Sequence, residues 1–199
     1  MRQEIILASG SESRRKMLND ANVPFRVQTA PVDEESLKAS LLAEGTSARD
    51  LSDALAEMKA LRVSAKSPEA LVIGCDQILA VNGETVSKSA SLDEAREVLT
   101  KLRGQRHSLF SAAVACEGGQ AVWRHVSEVK LQMRGFSDAY LDDYLSRNWP
   151  KVQGAVGCYH YEEEGVRLFS GVVGDYFAIL GMPLIPLLSF LTIRGLIDG

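Results

Sequence analysis

The stretch Ile5-Ile6-Leu7-Ala8-Ser9-Gly10-Ser11-Glu12-Ser13-Arg14-Arg15 carries a short apolar strand into a hydroxyl- and glycine-rich turn, and from there into paired arginines. It joins a strand to a helix, the unit whose recurrence sets the fold class, and it is also a design for holding phosphate. Ser9 and Ser11 supply hydroxyls, Gly10 lets the backbone approach an anion closely, and the free N–H groups of the following helix point at the same spot. Arg14, with Arg15 beside it, can fork two donors onto a pair of phosphate oxygens. An ordinary strand-to-helix connection with a serine N-cap and solvated arginines has the same sequence, so this stretch alone leaves both readings open.

Outward from that opening, a strand over 5–8 leads to a helix over 13–21, which stops near Asn22-Val23-Pro24 because proline disfavours helix in the residue before it. Residues 25–29 alternate like a strand, and 36–44 read as a helix stopped by Gly45. A longer helix over 47–65 places Leu51, Leu55, Met58 and Leu61 on one stripe with Lys59 beside it. Residues 71–75 predict a buried strand, and Asn82-Gly83 a hairpin turn between 78–81 and 85–86. Ser91 and Glu94 stand at capping-box spacing and open a helix through Leu102, which Gly104 ends. Two long strands, 107–116 and 121–133, flank Gly118-Gly119. A helix over 137–147 is entered through an N-cap serine, and the tail 184–197 reads as a helix with Pro186 in its first turn, where a missing N–H costs little. Alternating strands and helices followed by a hairpin imply a mixed α/β or α+β sheet.

The chain has 199 residues and 46% hydrophobic content, enough for one substantial core or for two small lobes sharing a cleft; a single domain over 1–199 is the expectation. A formal net charge of −4 argues against a large polymeric nucleic-acid surface, which shows as a basic excess, while leaving room for a local basic pocket. Cys75, Cys116 and Cys158 are odd in number, far apart and without CxxC spacing, so they suggest neither a disulfide framework nor a structural zinc site. They are expected to be free thiols in a reducing cytoplasm. The first residues lack the apolar core of a signal peptide, so the mature chain is expected to start at residue 1. The most apolar stretch, 172–191, is interrupted by Gly174, Asp175, Gly181, Pro183 and Pro186, which predicts no membrane segment.

Several residues could carry chemistry. Asp76 stands just past the end of an apolar strand, at the rim of the sheet where ligands of α/β proteins bind, and would serve as a metal ligand or base. A strand-terminal Asp capping its own backbone has the same signature. Asp33 and Glu34 precede a helix, where acids also simply favour the dipole. Lys59 and Lys88, taken alone, read as solvated lysines. His107, His125 and His160 make no zinc signature, and Trp123 and Trp149 read as packing residues. Asp175-Tyr176 reads equally as a support of a cleft or as a turn acid followed by a packed aromatic. Glu162-Glu163-Glu164 reads as a solvated turn.

Five segments in order resemble the Maf family of nucleoside triphosphate pyrophosphatases: Ser9-Gly10-Ser11-x-x-Arg14-Arg15; Val32-Asp33-Glu34; Leu55-Ala56-Glu57-Met58-Lys59-Ala60; Ile73-Gly74-Cys75-Asp76-Gln77; and Gly174-Asp175-Tyr176 with Leu180-Gly181-Met182-Pro183-Leu184. The resemblance implies an ITPase-like α/β fold, a mixed twisted sheet with flanking helices and two lobes around a central cleft. It implies Asp76 as proton acceptor, Glu34 as a metal-supporting acid with Asp33 less secure, and Lys59 and Lys88 as cations for the triphosphate. The family usually has Pro after the second lysine, where this chain has Ser89. Side-by-side carboxylates stay ionised with a cation between them, so Mg²⁺ or Mn²⁺ is expected at Glu34 and Asp76, arriving with the nucleotide. A Gly-x-x-His element at Gly104 and His107 makes His107 structural or substrate-lining.

The resembling enzymes divide at three positions. Arg, Thr and Gln mark the group directed at dTTP and UTP, and Trp, Gln and Glu the 7-methyl-GTP group. Here those positions fall on Ser13, Gln77 and Glu162, with Tyr159 as an alternative for the third. Gln77 and Glu162 lean toward the methylated guanine. Ser13 does not, and without the Trp a stacking contribution of about 1–3 kcal/mol would have to come from elsewhere, such as Tyr159. The resemblance thus implies hydrolysis of a nucleoside triphosphate to monophosphate and pyrophosphate, in a house-cleaning role and with a homodimer as the expected assembly. A nucleotide-binding regulator of cell division and an inosine or xanthosine triphosphatase are the alternatives.

Overall fold

In the computed structural model, which describes residues 2–198, one mixed sheet is flanked by helices. In chain order the elements are β1 (Ile5–Leu7), α1 (Glu12–Asp20), β2 (Arg26–Val27), α2 (Glu34–Ala43), α3 (Ala48–Ser64), β3 (Leu71–Val81), β4 (Glu84–Val86), α4 (Leu92–Leu102), β5 (Arg106–Glu117), β6 (Gln120–Met133), α5 (Asp138–Asn148), β7 (Phe169–Val173), α6 (Tyr176–Ile179) and α7 (Leu184–Ile193). Two 3₁₀ turns, Lys151–Gly154 and Glu164–Leu168, connect α5 to β7. The strand order is β2-β1-β3-β5-β6-β7, with β4 paired beside β3. β1 runs parallel to β2 and β3, and the remaining pairs are antiparallel.

The sequence divides residues 71–81 into two strands with Asp76 at the break. The structure corrects this: β3 is continuous, and β5 pairs with it from Val72↔Cys116 to Ala80↔Ser108. Asp76 is therefore a mid-strand residue. Its open position comes from the other edge of β3. There β1 covers residues 71–73 and β4 covers 79–81, so among the described residues no strand lies beside 74–78. This notch in the sheet is where the chain leaves β1 for the Ser9–Ser11 turn.

Alternation along β3 divides its side chains between two faces. Leu71, Ile73 and Cys75 pack with Met17 and Leu18 of α1 and with Leu187 and Leu191 of α7. Val72 on the other face packs with Ala56, Ala60 and Val63 of α3. Beyond the notch, Leu79 and Val81 join a separate core with Leu99, Leu102, Leu141 and Tyr144. The two ends of the long strands thus belong to different cores, and the cleft lies between them.

The buried face of α3 also differs from the predicted stripe. Leu51 and Leu55 are buried as expected, but Ala56, Ala60 and Val63 complete the face, leaving Met58 and Leu61 half-buried. The reason is close approach: a Cβ on Gly74 would lie 2.1 Å from the Ala56 carbonyl oxygen and 2.7 Å from the Ala60 nitrogen. Only small residues permit that spacing, and a hydrophobicity pattern does not register alanine as an anchor. Helix starts otherwise follow the sequence signals, with Ser47, Ser91 and Ser137 accepting from backbone N–H groups three residues on, whereas the tail helix expected over 184–197 ends at Ile193, just before Gly195 at φ +68°. Strand β7 and helix α6 had no signal, being short and set among glycines. The expected strand 25–29 shrinks to the two paired residues of β2.

Replacing Gly74 by Val will force α3 off the sheet. We expect a loss of about 1–3 kcal/mol, read as a lowered midpoint in chemical denaturation.

Candidate active site

The notch in β3 opens into a cavity of about 1400 Å³ bordered by the Ser9–Ser13 turn, Glu34, Lys59, Asp76, Lys88, the segment around Tyr159–Glu163 and the α6–α7 region. Its centre is an ion triad. Lys59 Nζ of α3 lies 2.7 Å from Asp76 Oδ1 and 2.9 Å from Glu34 Oε2. The side chains of Lys59 and Asp76 are only 14% and 11% exposed, whereas Glu34, in the first turn of α2, is 48% exposed. One ammonium thus holds two carboxylates from different elements. Its arrival at Asp76 follows from the Gly74 contact two residues earlier on the same face of β3.

Arg14 is engaged differently from the sequence expectation of a free fork. Its Nε donates to Gly181 O at 2.8 Å, and its Nη1 donates to Ser9 Oγ and Cys75 O, both at 3.0 Å. The Cys75 carbonyl belongs to the uncovered edge of β3, so the guanidinium supplies the partner that a neighbouring strand would have given. Nη2 has no protein acceptor among the described residues and remains the group available to an anion. Gly181, at φ +102°, brings its Cα against the same guanidinium, where a Cβ would lie 3.4 Å from Nε. Arg15 does not border the cavity and lies 3.8 Å from Glu12 on the exposed side of α1.

In the turn, Ser9 is buried and its Oγ also accepts from Ser11 N at 3.3 Å, while Ser11 caps α1 by accepting from Arg14 N at 3.4 Å. The space in front of Gly10 is open. Lys88 is exposed at the cavity border, making no ion pair among the described residues. Ser89, standing where Pro was expected, is buried with its Oγ 3.2 Å from Cys158 Sγ. Asp33 is the N-cap of α2, accepting from Ser36 N at 3.0 Å, and that hydrogen bond holds its carboxyl below the ordinary value. Asp175 likewise caps α6 through Ala178 N at 3.0 Å, the turn-acid alternative.

The three positions that divide the resembling enzymes come to one cavity. Ser13 Oγ lies 3.4 Å from Glu162 Oε1 across its mouth, and Gln77 borders it from the opposite face of β3 to Asp76. Tyr159 is not placed to stack on a base: it is buried, hydrogen-bonded to His107 Nε2 at 2.9 Å and edge-on to Phe169 at 4.8 Å. Tyr161, Phe177 and half-exposed Tyr176 also line the cavity. Trp123 stacks on Phe190 of α7 at 5.0 Å, away from the cavity, as a packing residue.

Sequence reasoning missed Lys38. One helical turn beyond Glu34 in α2, its Nζ donates to Ser87 Oγ at 3.0 Å. Burial holds its ammonium below the ordinary lysine value, opposed by the charge of Asp76. The i,i+4 spacing from Glu34 was the available signal. Among the described residues no group of three or more His, Cys, Asp or Glu side chains is arranged to hold an ion, which leaves Glu34 and Asp76 as the carboxylate pair. Cys75, Cys116 and Cys158 are free and buried, with burial pushing the first two up to about 11.

A mixed α/β fold with its cleft at a sheet edge, lined by a phosphate-type turn and a lysine set between two acids, defines a nucleotide-binding class of protein. The model of the Maf-like protein family matches residues 4–193, and the chain belongs to that family. It is 55% identical over 194 residues to a nucleoside triphosphate pyrophosphatase of Ruegeria pomeroyi, with 98% of each chain covered. A protein of the same name from Roseobacter denitrificans is 54% identical over 195 residues, again with 98% of each covered. One from Caulobacter vibrioides is 50% identical over 191 residues, covering 96% of each.

Two outcomes follow from this geometry. Lys59→Met leaves the buried Asp76 without its cation; about 3 kcal/mol of stability should be lost in denaturant titrations, and turnover should fall about 10²–10³-fold. His107 is buried, its Nδ1 has no hydrogen-bond partner among the described residues, and desolvation pushes its pKa down to about 4 from 6.5. The unfolded chain therefore binds the extra proton between those values, so stability is full above about pH 6.5 and falls as the pH drops toward 4. His107→Gln, which keeps a partner for Tyr159, should flatten that acid limb in pH-dependent unfolding.

Proposed function

We propose that this chain is a nucleoside triphosphate pyrophosphatase, hydrolysing the bond between the α and β phosphates to give a nucleoside monophosphate and pyrophosphate. The observation that carries the reading is Lys59 seated between Asp76 and Glu34 at the open edge of β3, in a chain whose relatives bear that name. Asp76 uses Oδ1 for Lys59, and its second oxygen orients water and accepts its proton as the oxygen attacks phosphorus. The Ser9–Ser11 turn, Arg14 Nη2 and Lys88 stabilise the charge that accumulates on departing pyrophosphate, and Lys59 exchanges a carboxylate for a phosphate oxygen.

The donor set fits a hard divalent cation such as Mg²⁺ or Mn²⁺. Glu34 and Asp76 offer carboxylate oxygens to one small space, and phosphate and water oxygens would complete the shell. When bound, such an ion supplies charge neutralisation at the phosphates. On the base side, the acceptors of Glu162 and Gln77 favour a ring that presents N–H donors, as guanine and its 7-methyl derivative do. Among the described residues no helix is long and apolar enough to cross a membrane, and the buried free thiols support placement in the cytoplasm.

The test is pyrophosphate release from 7-methyl-GTP, GTP, UTP, dTTP and ITP, each with Mg²⁺, Mn²⁺ or chelator. We expect metal-dependent release, preference for a guanine-type base, and loss of turnover with retained binding in Asp76→Asn. Nucleotide binding without release from any triphosphate would instead identify a binding protein, and a preference for ITP would place the chain with enzymes for deaminated purines.

A further inference from the structure

The cavity wraps around the open edge of β3, and alternation places Asp76 on the α3 face and Gln77 on the other. The ion triad of Lys59, Glu34 and Asp76 gathers on the first face. The second is walled by α6, where Tyr176 is half-exposed and Phe177 partly buried. Gln77 does not offer its donors to the cavity. Its Nε2 lies 2.9 Å from Ser111 Oγ, 3.0 Å from Ala178 O and 3.0 Å from Ile179 O. Backbone carbonyls only accept, so the orientation of the amide is fixed and Oε1 is the atom left over.

Ser111 is the direct cross-strand partner of Gln77 on β5. It is fully buried, and its Oγ donates to Ala178 O at 2.6 Å. A four-residue helix cannot satisfy its own last carbonyls. Ala178 O takes a backbone N–H from Gly181 at 3.1 Å, and Gln77 and Ser111 add side-chain bonds to it and to Ile179 O from the sheet, while Arg14 holds the next turn through Gly181 O. Buried side-chain hydrogen bonds thus tie α6 to the sheet, beside the packing of Ala178 and Ile179 in the core.

We infer that Ser111 is a positioning residue for base selectivity: with Gln77 it fixes α6, and α6 places Tyr176 and Phe177 against the nucleobase. This rests on the nucleoside triphosphate reading of the cavity. Selectivity at Gln77 is transmitted through the α6 backbone, with only an acceptor oxygen available for direct contact. Lys59, on the opposite face of β3, has no attachment to α6; Arg14 touches the turn after α6 through Gly181 O, but its bonds to Ser9 Oγ and Cys75 O hold it independently, so phosphate binding is left nearly unchanged.

The experiment compares kcat/KM for GTP and UTP in wild type, Ser111→Ala, Gln77→Met, the double variant and Tyr176→Ala, together with inhibition by inorganic tripolyphosphate, which has no base. The GTP/UTP ratio should shift about tenfold in Ser111→Ala and in Gln77→Met, with no further shift in the double, while the tripolyphosphate inhibition constant stays within about twofold. An unchanged ratio in Ser111→Ala, additive shifts in the double, or a tripolyphosphate constant that moves in step with the ratio overturns the inference. If Ser111→Ala fails to fold, half-exposed Tyr176 decides: a shifted ratio in Tyr176→Ala supports the α6 wall and an unshifted one removes it. A wild type that hydrolyses none of the triphosphates defeats the pyrophosphatase reading itself, whereas an active wild type with unshifted variants defeats this inference alone.

Discussion

A strand edge with no neighbour presents backbone donors and acceptors that water, side chains or a ligand must satisfy. In this protein that edge lies inside a cleft, between the end of β1 and the start of β4, and much of the site is arranged around it. Arg14 takes the carbonyl of Cys75 and with the same guanidinium reaches Ser9 and Gly181, so one side chain joins the opening turn, the central strand and the segment before α7. Completing the sheet with another strand would close the cleft. Leaving it open gives a ligand access to both faces of β3 at once.

The buried ion triad occupies one face of that edge. Asp76 is held almost out of water, and a buried carboxylate needs a compensating charge. Lys59 provides it and also binds Glu34 of α2, a helix with no buried residue of its own. Part of what fixes α2 over the cleft is thus the same ammonium that a triphosphate would attract. Substrate charge and the position of Glu34 are thereby linked. On the other face Gln77 and Ser111 are neutral and turned inward, serving α6 rather than solvent, and the Arg14 guanidinium is tied to the turn after α6.

Much of the fold was legible in the sequence because capping serines, Asn-Gly and Gly-Gly turns and alternating strands are local signals. The break read at Asp76 was wrong because a polar residue in an apolar run looks like a strand end, whereas here the strand continues and its neighbour stops. The face of α3 was misread because close packing against Gly74 selects alanine over larger residues. Most of the candidate site residues, from Ser9 to Glu162, do line one cavity. Arg15 falls outside it because helical geometry turns it a hundred degrees away from Arg14. Ser111 and the buried role of Tyr159 had no pattern to reveal them, and Lys38 had only its i,i+4 spacing from Glu34.

The sequence by itself determined the strand-turn-helix opening, the order of elements, the family and the residue types available for phosphate chemistry, since all of these depend on local preference or on motifs in series. Only the tertiary structure decided which donors remain free, which face each group serves and what α6 is attached to. Those properties depend on pairing between elements distant in sequence: Lys59 with Asp76, Arg14 with Gly181, and Gln77 and Ser111 with Ala178. A hydrogen bond has short range and strict geometry, so whether a side chain is available to a ligand is settled only when every competing partner has been placed.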